Sequence, residues 1–306
     1  MNKRLKDLTL PRLESLTIEY PYEFEDPDAL YGPESILHLY SSWSVPKLRY
    51  LRVENFIPAI FPLPAPTSLT ILLRRANDEG HSPCRLRNFL SSLPQLEYLH
   101  LILGTRFHKE RIPKLVLRNL KSFRIVVMHW VAPEVTALLK ALVTPWIRSM
   151  HLKVERYFEA EWEGLSNWLN ALLCHDNYPI MEELTFEFFD HKKLSKYKVP
   201  FGKLPNLHAL TLDTLDWHPS LTRSDSQYGC IPPLRSLRLK GSDYRWALWL
   251  KRIHARMNAG KQLAQFQNLS IDLTESWDKE HVEKLFEGRR ITWGVGNAHS
   301  RVEEFQ

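Results

Sequence analysis

Apolar positions along the chain recur in one short phrase. Pro11-Arg-Leu-Glu-Ser-Leu-Thr-Ile18 returns as Pro46-Lys-Leu-Arg-Tyr-Leu-Arg-Val53, Pro94-Gln-Leu-Glu-Tyr-Leu-His-Leu101, Pro205-Asn-Leu-His-Ala-Leu-Thr-Leu212 and Pro232-Pro-Leu-Arg-Ser-Leu-Arg-Leu239. Looser copies begin at Pro145 and Pro179, and copies without the proline lie at Leu120–Ile125 and Phe266–Ile271. A weak tenth copy lies at Pro66–Ile71. The first apolar slots fall at 13, 48, 66, 96, 120, 147, 181, 207, 234 and 266, so the repeat is irregular in length. Self-similarity of this kind marks a stacked array of one structural unit.

Each copy reads L-x-x-L-x-L, the core of a leucine-rich repeat. The last two apolar slots are two residues apart and share one side of a strand. The first slot sits in the bend that enters the strand, where a preceding proline with fixed φ and no donor is accommodated. One unit cannot bury its apolar face, whereas a stack makes a continuous core. Helices are expected between strands, because Leu86, Phe89, Leu90 and Leu93 follow helical spacing, as do Val135, Leu138, Leu139 and Leu142. Trp162, Leu165, Leu169 and Leu172 form a third stripe, and Trp246, Trp249, Leu250 and Ile253 a fourth, with Ser242 or Asp243 as N-cap. Val282, Leu285 and Phe286 mark a last short helix ended by Gly288. The fold class is therefore α/β: an irregular leucine-rich-repeat solenoid with a concave parallel sheet and convex helices. We expect nine to ten repeats over residues 1–290 and a C-terminal cap or tail over 291–306. The stretches Glu23–Asp28, Ala76–Arg85 and Pro219–Cys230 fall outside the rhythm and are expected to be loops.

Composition narrows the setting. The 306 residues are 44% hydrophobic, enough for a packed core and too apolar for a disordered chain. The longest apolar stretch, near Ile125–Val131, is far shorter than the roughly 20 residues of a membrane span. Asp7 and Thr9 interrupt the segment a signal peptide would need. Cys84, Cys174 and Cys230 are odd in number and far apart, which fits a reducing, intracellular compartment, cytoplasmic or nuclear. The net charge of +6 is a mild excess and does not by itself imply nucleic acid.

The phrases LPRLESLTI, VPKLRYLRVENF, SSLPQLEYLHL and KLPNLHALTL resemble the leucine-rich-repeat regions of fungal F-box proteins, over about Leu8 to Ile271. That resemblance implies a substrate receptor of a cullin-based ubiquitin ligase, in which an N-terminal F-box binds the Skp adaptor and the repeats hold the target. Two departures stand out. The first copy begins within the opening dozen residues, so the adaptor-binding role carries over to no residue here, and we expect an F-box upstream in a longer product or lost altogether. The Asn or Cys that many such repeats carry eight residues after the first slot is replaced by Pro21, Phe56, Arg74, Gly104, Met128, Glu155, Phe189, Leu215, Ser242 and Thr274, so no asparagine ladder is expected there.

The register also names the side chains that a partner would meet. Strand positions that alternate with the core slots carry Tyr50, Arg52, Tyr98, His100, Ile102, Arg124, Val126, His151, Lys153, Glu183 and Glu187. Aromatic and arginine anchors on a repeat surface suit a protein-binding site, and a target protein on the concave face is the expected partner.

Catalytic and cofactor constellations do not assemble. G-x-S-x-G, H-E-x-x-H and the P-loop pattern are absent. Gly294-Val-Gly296 matches half of a dinucleotide fingerprint without the strand–helix unit that should follow. His81 with Cys84, and Cys174 with His175, lack partners at metal-ligand spacing. No cofactor or metal is expected, and no enzymatic activity. Basic runs at Arg106–Lys114, His191–Lys198 and Lys251–Lys261 are expected to be solvated faces, with nucleic acid the less favoured partner. Trp246 and Trp249 are expected in the core, and the sequon Asn268-Leu-Ser270, on a repeat strand, is expected to be unused.

Overall fold

The structure, a computed structural model, describes residues 7–19, 42–58, 66–74, 81–104, 107–128, 133–155, 169, 172–173, 178–188, 199, 201–214, 231–241, 245–273 and 279–295. Every expected repeat phrase becomes a strand. Of the strands, β1 (Ser15–Glu19), β2 (Tyr50–Glu54), β3 (Ser68–Leu73), β4 (Tyr98–Leu103), β6 (Ser122–Met128), β8 (Ser149–Glu155), β9 (Glu183–Phe188), β10 (Ala209–Thr214), β11 (Ser236–Gly241) and β12 (Asn268–Leu273) are these phrases, whereas the short β5 (Leu115–Val116), the short β7 (Leu142–Val143) and β13 (Arg290–Val295) come from no expected copy. Among the described residues the α-helices with defined bounds are α1 (Pro83–Ser91), α2 (Pro133–Ala141), α3 (Arg245–Ala259) and α4 (Lys279–Leu285).

The chain divides into two compact units, residues 1–147 with 163–175 and residues 148–162 with 176–306. In the first, β1, β2, β3, β4 and β6 pair in chain order, all parallel, while β5 and β7 form a separate two-stranded ladder. In the second, β8 to β13 pair in chain order, again all parallel. Sequential parallel strands, with described helices between several of them, make each unit an α/β solenoid of leucine-rich-repeat type.

The repeat phrase explains its own geometry. Proline occupies the second position of a turn in which the residue before it accepts from the first apolar slot: Leu13 N–H to Leu10 O (3.2 Å), Leu48 to Val45 (3.1 Å), Leu96 to Leu93 (3.2 Å) and Leu207 to Leu204 (3.2 Å). The slot residue then turns inward, and Leu48, Leu96, Leu120, Ile147, Met181, Leu207, Leu234 and Phe266 are all buried. Directly before eight of the strands, one carbonyl accepts two N–H groups of the next coil. Arg49 and Tyr50 donate to Glu14 O (2.8 and 3.0 Å), Glu97 and Tyr98 to Thr67 O (2.8 and 3.0 Å), and Gln267 and Asn268 to Arg235 O (2.9 and 3.0 Å). Both carbonyl lone pairs are thus used at these steps. Asparagine does form rungs, but at the turn: Asn119 Nδ2 donates to Pro94 O (2.7 Å), and Asn206 Nδ2 donates to Pro179 O.

The weak copy at Pro66–Ile71 is a complete strand with Leu69 and Ile71 buried. The expected loop Ala76–Arg85 ends differently, because α1 begins at Pro83 with Ser82 as N-cap, whose Oγ accepts from Arg85 N–H at 3.1 Å. Leu142, expected on the second helix, lies just beyond α2 in β7. Of the third stripe, Leu169 and Leu172 are helical and buried, and Trp162 and Leu165 lie outside the described residues. Also outside them are the α3 N-cap candidates Ser242 and Asp243, the run His191–Lys198, Cys174, His175 and Cys230.

Strand β13 crosses residue 290, so the parallel ladder runs through Val295. Its slot position is Gly288, at φ +75°, and cannot fill the core. Phe286 does so instead, packing on Phe266 of the preceding coil at 5.4 Å between ring centroids. Trp246 and Trp249 are both buried and meet edge to face at 5.4 Å.

Candidate functional site on the strand faces

Alternation along a strand puts the apolar slots on one side and the intervening residues on the other. Parallel pairing without slippage then lines those residues up in rows across each sheet. In the first unit the rows are Tyr50–Ser68–Tyr98–Ser122, Arg52–Thr70–His100–Arg124 and Glu54–Leu72–Ile102–Val126. Seven of the expected site residues, from Tyr50 to Val126, therefore lie on one face of one sheet.

Their environments differ. Tyr50 and Tyr98 are 55% and 50% exposed, the side chains of two strands separated only by β3. Arg52 pairs along its own strand with Glu54, its Nε donating to Oε1 at 2.6 Å. His100 and Ile102 are half-buried. Arg124 is half-buried too, and its Nε, closed to solvent, has no hydrogen-bond acceptor. Val126 corrects the expectation that every such position is open: it is only 4% exposed, as Leu72 is at 1%. Branched apolar side chains in one cross-strand row sit about 5 Å apart and cover one another's flanks. Val126 belongs to the floor of this face.

The second unit arranges charge differently. Its rows are His151–Thr185–Thr211–Arg238–Ser270–Thr292 and Lys153–Glu187–Asp213–Lys240–Asp272–Gly294. Glu187 lies 3.0 Å from His151 Nε2 and 3.8 Å from Lys153 Nζ, and Lys153 also reaches Glu155 at 2.7 Å. Lys240 lies 3.5 Å from Asp213, and Arg238 donates through Nε (3.0 Å) and Nη2 (2.7 Å) to Asp272 Oδ2. The expected partner residues His151, Lys153 and Glu187 thus engage each other, while Glu183 is exposed at a strand start. Arg238 and Lys240 were not among the expected site residues. Their charges are legible in sequence, but the pairing appears only when the register aligns strands 27 to 34 residues apart.

Gly294 completes this ladder. A Cβ built there would lie 1.7 Å from Asp272 Oδ1, so the glycine leaves the space that the carboxylate occupies beside Arg238.

On the other side of the first unit, Ser82 Oγ donates to Glu110 Oε2 (2.9 Å), which also accepts from Cys84 N–H (3.3 Å). Burial opposes the charge of Glu110, but hydrogen bonds from Ser82 and Cys84, with His108 nearby, outweigh it and lower its pKa. Burial, with Glu110 beside it, raises the Cys84 pKa, so this thiol is not an activated nucleophile. Among the described residues no group of three or more His, Cys, Asp or Glu is placed to hold a metal, and no helix is long and apolar enough to cross a membrane. On α3, Lys251 and Arg252 are exposed while Ile253 and Met257 are buried, an amphipathic face against the core.

No family model matches this chain, and no curated protein matches it. Among solved structures it is similar to the crystal structure of a TLR13–ssRNA13 complex, at 14% identity and a TM-score of 0.35. The match covers 83% of this chain and 40% of that one, and likeness at this level says nothing about what this chain binds.

Proposed function

We propose that this protein is a non-enzymatic repeat scaffold whose strand face binds a protein partner, in the manner of the target-holding half of an F-box substrate receptor. One observation carries the reading. The first unit presents two half-exposed tyrosines in one register row, with a half-buried arginine two strand positions away that has no ion pair among the described residues. Aromatic and arginine side chains of this kind supply most of the energy at protein interfaces. The repeat phrases, in their likeness to fungal F-box proteins, support the link to a ubiquitin ligase.

Co-purification tests that link. The product of the full-length transcript is expected to retain the Skp adaptor and a cullin when expressed with them. A full-length product that holds neither removes the ubiquitin role and leaves the scaffold. Crosslinking from a photoreactive residue at position 98 tests the scaffold itself, since the face is expected to label a protein partner and position 240 is not.

A further inference from the structure

On β3, β4 and β6 the solvent-face positions are Ser68, Thr70, Leu72, Tyr98, His100, Ile102, Ser122, Arg124 and Val126, none of them a carboxylate. Arg124 has no hydrogen bond or ion pair among the described residues, whereas its counterparts Arg238, Lys240 and Lys153 in the second unit all face carboxylates. A cation with no carboxylate on its own strand face or on the two strands before it, beside an apolar row, calls for an anion from outside.

We propose that this face docks an acidic segment of a partner protein, one that places a carboxylate on Arg124 and an apolar side chain between Tyr50 and Tyr98. The inference rests on the scaffold reading above and names its partner. A guanidinium takes a carboxylate in paired hydrogen bonds, which fixes orientation as well as attraction. Tyr50 and Tyr98 stand two strands apart, about 10 Å, which is room for one aliphatic or aromatic side chain. Arg124 lies one strand beyond Tyr98 and two residues further along, so the midpoint of the tyrosine pair is about 12 Å from it. At about 3.3 Å per residue, an extended segment spans that distance in three to four residues. The recognised pattern is therefore an apolar residue and an acidic residue three to four positions apart. The strand-face cations Lys153, Arg238 and Lys240 of the second unit already face carboxylates and are expected to contribute nothing to this recognition.

The test is a selection from a random 12-residue peptide library displayed on phage, with the full chain immobilised. The selected peptides are then synthesised and titrated against the protein and its variants. Enrichment of the acid–apolar pattern is expected, with binding weakened about tenfold or more in Arg124→Gln and in Tyr98→Ser, and unchanged in Lys240→Gln. Raising salt is expected to weaken binding of the parent and not of Arg124→Gln. Thermal unfolding of each variant separates lost binding from lost fold. Enrichment of basic or uncharged peptides that still need Tyr98 would overturn the acidic partner and leave the scaffold standing. Absence of any peptide dependent on Tyr98 or Arg124 would overturn both. Binding of an oligouridine probe that is lost in Arg124→Gln would replace the acidic peptide with a phosphate backbone.

Discussion

The two strand faces are built from one repeat phrase and solve the charge problem in opposite ways. In the second unit, Lys153, Glu187, Asp213, Lys240 and Asp272 occupy successive register positions and neutralise one another, helped by Arg238. In the first unit the same register row is Glu54, Leu72, Ile102 and Val126, and the cation Arg124 stands alone beside it. Partly buried opposite charges along a parallel ladder hold the strands in register, and they leave little for a partner. An apolar row closes the floor without using its neighbours' charge. A repeat array can therefore divide its surface into a part that is internally satisfied and a part that is not, while the core behind both stays the same.

The contrast is broken most strongly at Asp213, which is buried and holds Lys240. Asp213→Ala is expected to cost about 2 kcal/mol, read by denaturant unfolding, because it strips the ladder of its central acid. Amide exchange should rise first in peptides from β10 and β11 and remain unchanged in β2 to β4. Gly294→Ala should cost less, about 1 kcal/mol, since the new methyl displaces Asp272 from a half-exposed Arg238 and the pair is discounted for solvent. A crystal structure of that variant should show Asp272 rotated away from the guanidinium.

Arg124→Gln sharpens the contrast from the other side. With no partner to lose, its effect on unfolding is expected to stay within about 0.5 kcal/mol, while partner binding falls. A clear loss of stability would mean that Arg124 serves the fold. The smallest expected effect is acidic. Burial lowers the His254 pKa from 6.5, and its ring packs on Phe286 at 5.2 Å. The neutral ring is the form favoured on folding, so its contribution is complete above about pH 6.5 and is lost as pH falls from there through the folded-state value. Between pH 7.5 and 5 the thermal midpoint of the parent should fall slightly more than that of His254→Gln. Any further loss shared by both belongs to other groups.

Much of this was readable one residue at a time. The proline-marked phrase located the strands, including the weak copy at Pro66, because the turn, the inward slot and the two strand slots are local consequences of residue type. The last strand escaped because its slot is Gly288, whose role passes to Phe286 through a side-chain contact two residues earlier in the chain. Val126 was misjudged because alternation reports which side a residue faces and not what stands beside it. Its neighbour in the row, Ile102, is 24 residues away in sequence and adjacent only through the register.

By itself, then, the sequence determined the repeat, the parallel α/β architecture and which residues point away from the core. These follow from hydrophobic period and turn chemistry, which act over a few neighbouring residues. Only the tertiary structure decided which of those outward residues are paired, which are floored over and which remain open. Coulombic pairing and lateral packing depend on distances of a few ångströms between side chains on different coils, and strand register alone sets those distances.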